Sequence, residues 1–130
     1  MPVNETTLAS QVFDQLQQAM VCDPDGFTEL YRDYLADSWQ ALRKLRDAVQ
    51  QKQTDEVRAM AHHLKGGSMV LGVRAVAQCA SALEEMGHNA DVKGAGVVLD
   101  QTERALLQVQ TELSERLGPA VVPADQTAAL

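Results

Sequence analysis

The chain has 130 residues, 45% of them hydrophobic but only 4% aromatic, and a formal net charge of −7 at pH 7. That length fits one domain with a sizeable core, and the shortage of aromatic and β-branched residues favours helices over strands. The acidic balance argues against nucleic acid as the main partner, which would need a basic face, and suits a partner with a local positive patch.

The start, Met1-Pro2-Val3-Asn4-Glu5, lacks the basic and apolar regions of a signal peptide. Leu8, Val12, Phe13, Leu16, Ala19 and Met20 then mark a short first helix, with Asn4 to Thr7 offering a cap. Asp23-Pro24-Asp25 reads as an N-cap, a proline at the first helical position and an acid in the first turn. It opens a long second helix with Phe27, Leu30, Tyr31, Tyr34, Leu35, Ser38, Leu42, Leu45 and Val49 on its inner stripe. Trp39 and the tyrosines read as packing, and Arg43, Lys44 and Arg46 as a solvated basic face.

Thr54-Asp55-Glu56 reads as the cap of a third helix that turns Val57, Met60, Ala61, Leu64, Ser68 and Leu71 inward and stops at Gly72. The fourth follows at once through Val73, Val76, Ala77, Ala80, Leu83 and Gly87, and breaks at Gly87-His88-Asn89 and Asp91. A fifth carries Val98, Thr102, Ala105, Leu106, Val109, Leu113 and Leu117. From Gly118 the Ala-, Pro- and Val-rich tail has no helical period and is expected to be disordered. The reading is therefore all-α: an up-down antiparallel four-helix bundle over 1–117, with the short first helix across one end.

No run approaches the ~18–20 apolar residues of a membrane span. Cys22 and Cys79 form no close-spaced ligand motif and read as reduced cytosolic thiols. A cytoplasmic monomer is expected.

Within the third helix, His62-His63-Leu64-Lys65-Gly66-Gly67-Ser68 stands out. Glycine costs a helix interior about 1 kcal/mol relative to alanine, so two in succession need a reason, and access to a neighbouring histidine is the economical one. On a wheel of about 100° per residue centred on Val57, His62 falls near 140° and His63 near 240°, both off the core stripe. Lys65 and Gly66 flank the His62 direction one turn on, whereas Gly66 and Gly67, with no cation, follow His63. His62 is thus the histidine with a helper.

An imidazole is a competent nucleophile near neutral pH, and a lysine can sit beside the oxygens of a phosphoryl group carried on it. Gly66 would leave room for in-line approach. His62 and His63 diverge by about 100° with no second ligand at helical spacing, so no metal site is expected. Glu84 falls within roughly 20° of the centre of the fourth helix's apolar stripe, where a carboxylate is expensive without a partner. It reads either as reaching across to the other ring nitrogen of His62 or as snorkelling out between helices. Met69 and Val70 lie off the core stripe on the third helix and, with Gly66, suggest an apolar docking surface.

His62-His63-Leu64-Lys65-Gly66-Gly67-Ser68, with Leu71-Gly72 and later Cys79 and Leu83-Glu84, resembles the histidine-containing phosphotransfer domains of multistep phosphorelays. The resemblance spans Phe27 to Gly87. It implies that His62 is the phosphorylated residue, Lys65 the stabilising cation, Gly66 the clearance for a receiver domain, and Glu84 the match to a position that often holds Gln or Glu; Gly67, beside Gly66, is also expected to contact the partner. It implies no kinase or phosphatase activity and no cofactor in the chain itself. The phosphoryl group would pass between aspartates of receiver domains, on response regulators and a hybrid histidine kinase, with Mg²⁺ bound by the receiver. Gly67 departs from the more common Ser or Ala, and Gly-Gly also occurs in chemotaxis-type kinases, where an ATP-binding domain loads the histidine. Direct loading of that kind, and a module that binds receivers without accepting phosphate, are the competing readings.

Overall fold

The computed structural model describes residues 8–129, so the expected Asn4–Thr7 cap lies outside the described residues. The helices are α1 (Ser10–Ala19), α2 (Pro24–Gln50), α3 (Thr54–Val70), α4 (Arg74–His88) and α5 (Ala95–Leu117), followed by 3-10 turns at Pro119–Val121 and Ala124–Ala129. Helices α2 to α5 pack in a closed ring, each against its chain neighbour and α5 back onto α2, which is the up-down four-helix bundle. Apolar stripes at helical spacing line its axis, with Tyr31, Leu35, Leu45, Val57, Leu64, Val76, Leu83, Leu106 and Leu113 all buried. Trp39 is buried as well, and its indole N–H donates to Gln110 Oε1 at 2.9 Å.

The helix ends show why the chain turns where it does. Asp23 caps α2 as expected: its Oδ1 accepts from Gly26 N at 3.0 Å, with Pro24 at the first helical position. Thr54 is not the cap of α3 but its first residue; Gln53 holds the cap position without a side-chain bond. Helix α3 ends in a Schellman motif in which Val73 N donates to Ser68 O at 2.8 Å and Gly72 N to Met69 O at 3.3 Å. Gly72 takes φ +77°, the left-handed conformation that motif requires.

The fourth helix ends within the expected break, at His88 with Asn89 as its C-cap; Gly87 stays helical and buried on the inner stripe, and Ala90 takes the left-handed position at φ 54°. The expected disordered tail from Gly118 is ordered at its start, because Val121 and Val122 bury their side chains in the core. Burying two valines needs one short turn, with no helical period, so periodicity could not signal it. Arg46 is also more than a solvated face residue, since it pairs with Asp100 at 3.1 Å and Glu103 at 2.7 Å on α5.

Helix α1 closes the end of the bundle where α2 begins and α3 turns into α4. Leu8 forms an antiparallel bridge with Val73 rather than opening the helix, and Ala9 N donates to Gly72 O at 2.7 Å. Phe13 packs edge-on to Phe27 and against Tyr31, with the Arg116 guanidinium 5.0 Å from its ring centre.

Candidate functional site

Helix α3 lies between α2 and α4, so its exposed back meets a different helix on each flank. Its inward residues Val57, Ala61, Leu64 and Ser68 are buried, and this sets the rotation of everything between them. His62, His63, Gly66, Gly67, Met69 and Val70 are consequently exposed, Met69 by 64% and Val70 by 70%. The register against α2 is locked by two tyrosines. The Tyr34 hydroxyl and Ser68 Oγ lie 2.7 Å apart, and Tyr31 Oη donates to Leu71 O at 3.1 Å. Burial pushes the Tyr34 phenol up to about 12, so it remains a neutral hydrogen-bonding group.

On the α4 flank the structure brings together His62, Lys65 and Glu84. Glu84 Oε2 lies 2.9 Å from His62 Nδ1, and Glu84 Oε1 lies 2.7 Å from Lys65 Nζ. The hydrogen bonds from Lys65 first and His62 second hold the Glu84 carboxyl below its ordinary value. An ionised carboxylate only accepts, so His62 Nδ1 carries the proton and the lone pair of the neutral ring sits on Nε2. The His62 side chain is 71% exposed whereas Glu84 is only 22% exposed. The arrangement therefore presents a nucleophilic ring nitrogen outward, with a cation one turn further along the helix.

Glu84 reaches His62 because α4 runs unusually close to α3 just beyond it. A Cβ added at Gly87 would sit 2.6 Å from Arg58 N and 2.8 Å from Thr54 O, both backbone atoms. Only glycine permits that approach. By contrast, a Cβ at Gly66 meets nothing within 4 Å, and one at Gly67 would make ordinary contact with the Tyr34 ring at 3.8 Å. Internal packing thus gives no reason for the Gly66-Gly67 pair.

Two further residues belong to the site although nothing in the sequence marks them. Arg58, one turn before His62, lines a shallow groove between α3 and α4 together with Asp55, Ala59, His62 and Glu84. It stands four residues before His62, but arginine on a solvated helix face is too common to carry a signal. On the α2 flank, Asp37 Oδ2 lies 2.8 Å from His63 Nε2. Among the described residues no group of three or more His, Cys, Asp or Glu side chains is placed to hold a metal ion, and no helix is long and apolar enough to cross a membrane.

The chain is similar to known proteins in sequence pattern and in fold. A family model described as Hpt domain matches residues 29–115. No curated protein matches the chain. The crystal structure of histidine-containing phosphotransfer protein B (HptB) from Pseudomonas aeruginosa PAO1 is similar, with a TM-score of 0.81 and 27% identity over 88% of this chain and 96% of that one.

Proposed function

The chain belongs to the Hpt domain family, and on that premise we propose that it carries a phosphoryl group on Nε2 of His62 between receiver domains of a phosphorelay. The observation that carries the assignment is the Glu84 carboxylate on His62 Nδ1, which leaves the lone pair on the outer nitrogen of an exposed ring.

In the reaction, His62 Nε2 attacks the phosphorus of an aspartyl phosphate held by the partner. The P–N bond forms as the P–O bond breaks, and the partner's aspartate leaves as a carboxylate. The Nδ1 proton stays in place, so the ring becomes a phosphoimidazolium whose positive charge faces Glu84. Lys65 is one turn from the acceptor and turns from Glu84 toward the phosphoryl oxygens as negative charge arrives. Little else is needed, because phosphoryl transfer depends mainly on positioning and charge neutralisation. Mg²⁺ belongs to the receiver in this scheme. The reverse sequence delivers the group to a second receiver.

Gly66 and Gly67 gain their reason from the partner rather than from the fold: both are exposed and neither is demanded by packing. Met69 and Val70 supply the adjoining apolar contact. Incubation with a radiolabelled phosphoreceiver is expected to move acid-labile, base-stable label onto the chain. Stable complex formation without label transfer would instead mean a binding module. Met69→Glu is expected to slow transfer from the receiver by about tenfold, the size of a moderate interface loss; stopped-flow or quenched transfer assays measure it. An unchanged rate places the docking surface elsewhere.

A further inference from the structure

His63 poses a question that the scheme above leaves open. It is the same side chain as His62, adjacent in sequence and 57% exposed, so a phosphoryl donor can reach it too. The two rings differ in which nitrogen a carboxylate holds. Glu84 from α4 takes Nδ1 of His62, whereas Asp37 from α2 takes Nε2 of His63. A carboxylate acceptor places the proton on the nitrogen it holds. The lone pair of neutral His63 is therefore on Nδ1, the nitrogen beside the ring carbon that carries Cβ. There the lone pair lies next to the side chain's own Cβ and is a more hindered acceptor than the ring's outer nitrogen.

The pairing follows from helix register. Tyr34 meets Ser68, and Tyr31 meets Leu71, which fixes antiparallel α2 against α3. Asp37 is one turn further along α2 from Tyr34 and His63 is five residues back along α3 from Ser68, and their side chains meet across this same interface. The position of Asp37 is thus tied to two contacts anchored in the core.

Resting on the His62 reading, we propose that Asp37 is a specificity-determining positioning residue: by holding Nε2 of His63 it keeps the second histidine out of phosphoryl transfer. The pair is more than half exposed on both sides, so its effect is bounded at about fivefold, the upper range for exposed ion pairs.

The test uses phosphoramidate, a small donor that needs no docking surface, with labelled positions mapped by mass spectrometry. Wild-type protein labelled at His62 supports the underlying reading; wild-type protein labelled elsewhere overturns that reading. The present proposal is tested in the His62→Gln background. There His63 label is expected to rise three- to fivefold on adding Asp37→Ala and to fall back with Asp37→Glu, which restores a carboxylate. Equal His63 label with and without Asp37→Ala, whether high or absent, overturns the proposal. Ring nitrogen chemical shifts give a second readout that mere structural support would not move. In neutral wild-type protein the proton of His63 is expected on Nε2, and finding it on Nδ1 would also overturn the proposal.

Discussion

Replacing His62 by Gln is expected to reduce labelling at position 62 to background, a loss of more than about a thousandfold, as removal of a nucleophile does. The loss is expected with a phosphoreceiver and with phosphoramidate alike, since the missing group is the acceptor atom rather than a contact to either donor. Glutamine is close to histidine in size, and the side chain is 71% exposed. Stability should therefore stay within about 0.5 kcal/mol of wild type, as for other exposed substitutions, and a urea melt beside the labelling assay separates lost chemistry from lost fold. His63→Gln is expected to keep most of the transfer rate. Loss of label in His63→Gln with retention in His62→Gln would reverse the assignment of the two histidines.

Gly87→Ala is expected to destabilise the bundle by about 1–3 kcal/mol, the range for forcing a methyl group into a packed contact. The added carbon would lie 2.6 Å from Arg58 N and 2.9 Å from Arg58 Cα, and a helix backbone cannot yield as a flexible side chain can. Helix α4 must then move away from α3. Glu84 is one turn back on the same helix, so it moves with the backbone and its 2.9 Å contact to His62 lengthens. Two measurements check this. The urea midpoint should fall with an unchanged slope. Glu84→Ala should slow phosphoramidate labelling in wild-type protein but have little further effect in Gly87→Ala, because coupled residues are not additive. Full additivity of the two changes would show that Gly87 does not set the position of Glu84.

The parts of this molecule that could be read from the chain are those written in local periodicity. Leu64 and Ser68 fix the rotation of α3, so the exposure of His62, Gly66 and Met69 follows from a wheel. Glu84 could be found because a carboxylate on an apolar stripe conflicts with its surroundings. Asp37 carried no such conflict: it is exposed, and its partner is 26 positions away on another helix. The packing role of Gly87 was hidden for a related reason. Gly-His-Asn has turn composition, whereas the need for glycine there comes from the backbone of α3, to which local sequence is blind. The tail shows the limit of periodicity itself, since Val121 and Val122 are buried by a turn too short to have a period.

The strap formed by Leu8 and Ala9 across Val73 and Gly72 has a consequence for the order of assembly. Its docking site does not exist until the turn between α3 and α4 has closed, yet the strap is made before either helix. Closing that long loop costs entropy that the short connections between α2, α3 and α4 avoid. The hairpin bearing His62 and Glu84 is thus expected to condense early, with α1 arriving last and detaching first. Native-state hydrogen exchange should find α1 amides opening in small fluctuations while those of α3 and α4 wait for global unfolding. Helix α1 can then loosen without disturbing the hairpin that bears His62 and Glu84.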